Sequence, residues 1–274
     1  MRRLAVLGIL LLLAACSADG DPEPMTDASS STPPLLLETA TPSPDPAAPV
    51  AGDHHLGVTL PDGDERDYLL HAPPDVESDR PLPLVLVFHG SPGAPEDMVG
   101  VTRFNDLADD EGFLVAYPNS FTANDVEPLV DHLAGLWPID PRRIYASGFS
   151  RGAATTYLLT ETMADRIAAF APISGIGYDV APNAPASLIA IQGTEDEFVS
   201  GFSTVNRQWS RAAKCDPGET TDTTFAGRPT TRSVATCQAG SEHVVYRVER
   251  MGHAWPRQAT RLVWAFFEDH PLSP

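Results

Sequence analysis

One pentapeptide of the chain, Gly148-Phe149-Ser150-Arg151-Gly152, follows the pattern G-x-S-x-G. In this pattern a serine sits on a sharp turn between a strand and a helix, which exposes its hydroxyl for nucleophilic attack. A serine hydroxyl is a weak nucleophile at neutral pH and needs an adjacent base. The motif therefore predicts Ser150 as a nucleophile, provided that a strand precedes it and that an acid and a base follow.

The base is expected late in the chain, because proteins with this turn order their triad as serine, then acid, then histidine. His253 lies in the loop that follows the strand-like run Val244–Val248. His243 precedes that run, which places it at the wrong end of the strand. The other candidates come before the core of the sheet or lie on a helix or at its end: His54, His55, His71, His132 and His270. We therefore predict His253 as the general base.

The acid has two candidates. Asp196 directly follows the strand-like run Leu188–Ile191, and Asp179 follows the run before it. A short carboxylate on a tight turn can hold the imidazole in one tautomer and stabilise the imidazolium. Asp196 has the closer turn and is preferred, while the neighbouring Glu195 is expected to face solvent.

A fourth motif, Phe88-His89-Gly90-Ser91, ends another strand-like run. It is suited to an oxyanion hole, in which the backbone N–H of Ser91 acts together with that of Arg151. The His89 side chain is expected only to shape the turn. No spacing typical of a metal site occurs, so neither a metal nor a cofactor is predicted.

The segments around these motifs alternate between strand and helix patterns. Strands are predicted at Leu56–Leu60, Tyr68–His71, Leu82–Phe88, Phe113–Tyr117, Ile144–Ala146, Ala168–Ile173, Leu188–Ile191 and Val244–Val248. Helices are predicted at Pro95–Asp110, after a capping box at Asn124–Glu127, and at Arg151–Met163, Ser203–Ala213 and Ala259–Asp269. The alternation predicts an α/β fold with a doubly wound, mostly parallel sheet, in which ligands bind at the carboxyl ends of the strands.

The first 15 residues have the features of a lipoprotein signal peptide. A basic start, Met1-Arg2-Arg3, is followed by the apolar run Leu4–Leu13, which is too short to span a bilayer. The ending Leu13-Ala14-Ala15-Cys16 is typical of a bacterial lipobox, in which Cys16 becomes the lipidated first residue. The alternative is an ordinary secretory signal with a chance cysteine. Either signal predicts export.

Residues 16–53 are rich in Pro, Ser, Thr and acids, and contain no Lys or Arg. This composition predicts a disordered tether, and residues 54–274 then form one catalytic domain. The net charge of −19 argues against a nucleic-acid partner and against electrostatic binding to anionic lipid. Membrane attachment is expected through lipid on Cys16.

Two further cysteines, Cys215 and Cys237, are left after the lipidated one. In an exported protein they are expected to form a disulfide. The alternative is a pair of free buried thiols.

Eight segments between about Tyr68 and His270 form a recognisable set: V-F-H-G, A-Y-P, D-P-R-R-I-Y-A-S-G-F-S-R-G, A-P-I-S-G, G-T-E-D, W-S-R-A-A-K-C, G-H-A-W-P and F-F-E-D-H. In these segments the chain resembles a family of secreted α/β-hydrolases: polyhydroxybutyrate depolymerases, LpqC-type proteins and feruloyl esterases. The resemblance implies a triad of Ser150, Asp196 and His253, and a disulfide between the two late cysteines. The chain departs from the family at Gln192, where a histidine is usual, and in a shortened segment between Tyr117 and Asp125. Arg151 stands where the family often has a small or neutral residue.

The sequence therefore predicts an exported, lipid-anchored serine esterase. One alternative is an acyltransferase or peptidase on the same fold, and another is a surface lipoprotein that binds without turnover. The natural ester, the oligomeric state and the membrane that carries the anchor are left open.

Overall fold

The computed structural model describes residues 49–76, 80–175 and 177–273, all within the unit Ala40–Pro274. The predicted signal peptide, Cys16 and most of the tether lie outside the described residues. β1 begins at Gly52, two residues before the predicted start of the catalytic domain.

The described strands form one sheet. They are β1 (Gly52–Thr59), β2 (Glu65–Ala72), β3 (Leu82–Phe88), β4 (Leu114–Pro118), β5 (Ile139–Phe149), β6 (Ala169–Ile173), β7 (Ser187–Gly193), β8 (Glu219–Phe225), β9 (Arg228–Thr236) and β10 (Glu242–Val248). Their order is β1-β2-β4-β3-β5-β6-β7-β10-β9-β8. The six central strands, β4, β3, β5, β6, β7 and β10, run parallel to one another. The hairpin β1–β2 lies at one edge of the sheet and the hairpin β9–β8 at the other, and both are antiparallel. The predicted α/β fold is thus confirmed.

Helices cover both faces of the sheet. They are α1 (Pro95–Thr102), α2 (Phe104–Glu111), α3 (Val126–Leu136), α4 (Arg151–Met163), α5 (Val199–Ala212) and α6 (Ala259–Glu268). α3, α4 and α5 pack on one face, and α1, α2 and α6 pack on the other. All seven residues of β3 are buried, which explains its continuous apolar sequence: both of its faces are covered. No described helix is long and apolar enough to cross a membrane.

Three local predictions need correction. The helix predicted over Pro95–Asp110 is two helices, because Arg103 between them adopts a left-handed conformation with φ 56°. The capping box forms two residues earlier than predicted, between Thr122 and Asp125, where a carboxylate oxygen accepts the Thr122 N–H at 2.7 Å. The strand predicted at Ile144–Ala146 is the centre of the longer β5.

The hairpin β8–β9 was not predicted. β8 reads E-T-T-D-T-T-F and is almost fully exposed, so it carries no apolar alternation to indicate a strand. The disulfide between Cys215 and Cys237 is present, and it joins the segment after α5 to the end of β9. The prediction of that disulfide is confirmed.

Candidate active site

Ser150 lies between the end of β5 and the start of α4, as a nucleophile turn requires. Its backbone has φ 57° and ψ −113°, a sparsely populated region that survives only where the surroundings enforce it. Its N–H donates to the carbonyl of Ile173 at 3.1 Å, and its own carbonyl accepts from Ala153 and Ala154. The neighbouring strand and the first turn of α4 thus hold the strained serine in place.

The glycines around Ser150 are required by close backbone contacts. A Cβ on Gly152 would lie 2.1 Å from the carbonyl oxygen of Phe88, and one on Gly148 would lie 2.2 Å from the carbonyl oxygen of Gly152. A Cβ on Gly175 would lie 2.4 Å from the carbonyl oxygen of Ser150. These distances are far inside van der Waals contact, so the turn packs against β3 and the end of β6 only with glycine at these positions.

The structure brings His253 and Asp196 together. The Nδ1 atom of His253 donates to Oδ2 of Asp196 at 2.9 Å, and Oδ1 of Asp196 accepts the backbone N–H of Phe198 at 2.9 Å. The Asp196 side chain has no solvent exposure, whereas the His253 side chain is 28% exposed. With Nδ1 carrying the hydrogen, Nε2 is left with a free lone pair, the state that a general base needs.

The imidazole of His253 is also held by aromatic side chains. Its ring centre lies 4.8 Å from that of Phe149, the residue before the nucleophile, and 5.2 Å from that of Phe198. The contact with Phe149 places the imidazole beside the Ser150 turn. The Ser150 hydroxyl makes no hydrogen bond within the described residues. Bonds between a nucleophile and its base are often long before substrate binds.

The loops that carry the acid and the base are joined by backbone contacts. The N–H of Glu195 donates to the carbonyl of Met251 at 3.0 Å, and a Cβ on Gly193 would lie 1.9 Å from that same oxygen. Glu195 is exposed, as the sequence indicated. Asp179 is also exposed and makes no contact with His253, so the geometry favours Asp196 as the acid.

Ser174 connects the base loop to the sheet, and sequence reasoning gave it no role. It is fully buried with φ 46°, its N–H donates to the carbonyl of Ile191, and its hydroxyl donates to the carbonyl of Ala254 at 2.6 Å. Since Ala254 follows His253, this bond fixes the base loop at the end of β6. Only the motif A-P-I-S-G indicated that this turn was special.

The predicted oxyanion loop passes directly beside the nucleophile. A Cβ on Gly90 would lie 3.2 Å from the Cβ of Ser150. His89 donates from Nδ1 to the carbonyl of Gly90 at 2.8 Å and accepts the N–H of Ser120 at Nε2 at 3.4 Å, so its side chain shapes the turn. The Ser91 N–H has no hydrogen-bond partner among the described residues. It therefore has a free donor for an oxyanion.

A small hollow lies on the oxyanion-loop side of the turn, and neither Ser150 nor His253 lines it. Its lining includes His89, Ser120, Phe121 and Arg151. Ser120 and Phe121 belong to the shortened segment between Tyr117 and Asp125. At the end of β7, Gln192 is fully buried, and its amide has no partner among the described residues. The residues that the structure describes include no cluster of three or more His, Cys, Asp or Glu side chains arranged to hold a metal.

No family model matches the chain. Over 152 residues, half of the chain, it is 33% identical to the bifunctional acetylxylan esterase/xylanase XynS20E of Neocallimastix patriciarum, of which it spans only 22%. Over 244 residues it is 28% identical to NocK of Nocardia uniformis subsp. tsuyamanensis, whose name classes it as an esterase. That match covers 79% of this chain and 71% of NocK.

Solved structures agree on the fold. An acetyl xylan esterase from Aspergillus awamori matches with a TM-score of 0.63 at 14% identity, over 78% of this chain and 99% of the other. A feruloyl esterase module from Clostridium thermocellum, in complex with sinapinate, matches with a TM-score of 0.60 at 14% identity, over 83% and 92%. These likenesses confirm the α/β-hydrolase fold, and the sequence similarity to the two curated relatives agrees with the resemblance to esterases.

Proposed function

We propose that the chain is a serine esterase that hydrolyses carboxylic esters through Ser150, His253 and Asp196. The observation that carries this proposal is the buried Asp196 carboxylate bound to Nδ1 of His253, whose ring lies beside the strained Ser150 turn. Each of the three residues follows a parallel strand at the same edge of the sheet, where ligands bind in this fold.

In the proposed mechanism the Ser150 oxygen attacks the ester carbonyl while Nε2 of His253 takes its proton. Asp196 stays ionised and stabilises the imidazolium. The N–H groups of Ser91 and Arg151 donate to the developing oxyanion, an interaction worth about 3–4 kcal/mol for one donor. His253 then gives its proton to the leaving alcohol, which departs as the acyl-enzyme forms. A water molecule, deprotonated by the same imidazole, hydrolyses the acyl-enzyme.

The relatives suggest two candidate ester chemistries. They include an acetylxylan esterase, 33% identical over half of this chain, and a feruloyl esterase module, which matches in structure at 14% identity. Since the sequence match is to the acetylxylan esterase, we propose an acetyl ester as the substrate.

Export and lipid attachment at Cys16 form part of the proposal. Their support is the N-terminal sequence, together with the Cys215–Cys237 disulfide, because disulfides persist in oxidising compartments. Labelling of the full chain in a bacterial host with an alkyne fatty acid tests it. Label is expected on the native chain and not on Cys16→Ser.

The test of activity measures turnover of p-nitrophenyl esters from acetate to octanoate, and of methyl ferulate, by residues 40–274. Turnover is expected to be highest on acetate and to fall as the acyl chain lengthens. Ser150→Ala should abolish it, and Ser200→Ala, which changes an exposed serine on α5, should leave it unchanged. A folded protein that turns over no ester and does not react with a fluorophosphonate probe would contradict the proposal.

Transfer of the acyl group to another alcohol requires that water be kept away from the acyl-enzyme. The His253 side chain is 28% exposed, which favours water as the acceptor. Product analysis with an added alcohol tests this point. A dominant ester product would indicate a transferase, and cleavage of a peptide amide would indicate a peptidase.

A further inference from the structure

A second concave region lies between α5 and the hairpin side of the sheet, and none of the triad residues lines it. It is a cleft of about 540 Å³. Ser203, Arg207 and Arg211 line it from the helix, where residues four positions apart lie on one face. Ser233 on β9 and Arg247 on β10 line it from the sheet. The cleft is therefore lined by residues that the proposed esterase mechanism does not use.

The charge of this cleft is opposite to that of the whole chain. The chain has 37 acidic and 18 basic residues, yet three arginines and no Asp or Glu line the cleft. Within the described residues, the side chains of Arg211 and Arg247 make no hydrogen bond or ion pair. Arg207 donates only to the hydroxyl of Thr204, at 3.2 Å. By contrast, Arg166 elsewhere in the protein bonds to two carboxylates. Among the described residues, no carboxylate thus lies within hydrogen-bond or ion-pair distance of these guanidinium groups.

The rest of the cleft lining is rich in hydroxyl groups. Ser233 pairs with Val245 on one side and with Thr220 on the other, and the Ser233 and Thr220 hydroxyls lie 3.0 Å apart. At the base, His243 bonds to Asn206 at 2.9 Å. Such a lining offers hydrogen bonds to the hydroxyls of a ligand, beside apolar surface from Phe202, Ala235 and Val245.

We propose that this cleft binds an acidic saccharide, a ligand that carries carboxylate groups on hydroxyl-bearing rings. The planar guanidinium fork matches a carboxylate with two parallel hydrogen bonds. Arg207 and Arg211 are one helical turn apart and Arg247 lies across from them, so they can hold more than one carboxylate. From Ser203 to Arg211 the helix lines the cleft over a rise of roughly 12 Å, which exceeds the length of one sugar ring. This site goes beyond the proposed function, since ester hydrolysis does not require it.

The test is a calorimetric titration of the full chain with a linear galacturonate trimer, beside the neutral galactose trimer of the same linkage. The acidic trimer is expected to bind, and the neutral trimer is not. The double variant Arg211→Gln/Arg247→Gln should weaken binding at least tenfold, about the effect of losing one charge-assisted bond. Arg261→Gln removes one positive charge from α6, outside the cleft, and should change the affinity by less than about twofold.

The changed arginines are exposed, so the variants are expected to fold, and circular dichroism checks this. Equal binding of the neutral trimer would overturn the proposal, as would no heat of binding at millimolar trimer. Equal weakening by Arg261→Gln would show that only overall charge matters. Binding of inorganic phosphate without binding of the trimer would overturn the saccharide and leave a simple anion site.

Discussion

Asp196 and His253 are 57 positions apart in the sequence, and their side chains meet at 2.9 Å. The second carboxylate oxygen of Asp196 accepts the N–H of Phe198, whose ring contacts the same imidazole. The acid is therefore fixed by the residue that also limits rotation of the base. Both groups are oriented before a substrate binds, which is the condition for low reorganisation cost during catalysis.

Asp196→Asn is expected to lower kcat by about 10⁴-fold, because an amide donor in this position favours the wrong imidazole tautomer. KM should change little. The control is Asp179→Asn, which alters the other candidate acid, an exposed one, and should leave kcat unchanged. Steady-state kinetics on p-nitrophenyl acetate measures both. If Asp179→Asn lowers kcat and Asp196→Asn does not, Asp179 is the acid.

Gly152→Ala should destabilise the fold by about 2 kcal/mol or more, since the new methyl group would overlap the carbonyl oxygen of Phe88. Gly135→Ala is the matched control: it lies in α3, and a Cβ there meets nothing within 4 Å. That change is expected to be neutral or to stabilise by up to about 1 kcal/mol. Urea denaturation measures both variants. Equal stability of the two would show that the turn has room for a side chain.

Ser174→Ala should lower kcat about tenfold with little change in KM, because the loop of His253 loses its bond to the end of β6. Loss of this buried hydrogen bond also costs about 1–2 kcal/mol of stability. Ser147→Ala is the control, since the buried Ser147 hydroxyl likewise bonds to a carbonyl, that of Ala171. It should cost similar stability and leave kcat within about twofold. If both variants lose the same activity, Ser174 has a structural role only.

The buried imidazole of His243 is expected to make the free energy of unfolding depend on pH. Burial lowers its pKa from 6.5 to about 4. As the pH falls through 6.5 the unfolded chain therefore takes up this proton first, and stability is lost between about pH 6.5 and 4. His243→Gln, which can still donate to Asn206, should remove this dependence. Between pH 7.5 and 4.5 the native chain should lose about 2–3 kcal/mol more than the variant. Denaturation at both pH values measures the free energy of unfolding of each protein. An equal loss in the native chain and in the variant would contradict this assignment.

The elements that could be predicted from the sequence are those whose structure is determined by neighbouring residues. β3 and α4 are found at the predicted residues, since a continuous apolar run and a glycine-bounded turn are local signals. The break at Arg103 and the exposed strand β8 have no such signal. At the site, the parallel strands bring the predicted acid beside the predicted base. The Ser174 hydroxyl and the Phe198 ring orient the base loop through contacts between distant segments, and no local pattern indicates these two contacts.

The disulfide constrains one part of the molecule and leaves the catalytic residues outside the loop that it closes. Residues 215–237 enclose the hairpin that supplies one wall of the arginine cleft, including Ser233, while Ser150, Asp196 and His253 all lie outside this loop. The disulfide thus constrains the cleft wall directly and does not directly constrain the catalytic residues. Reduction of the disulfide is therefore expected to loosen the wall of the cleft while the loops that carry the three catalytic residues keep their own contacts.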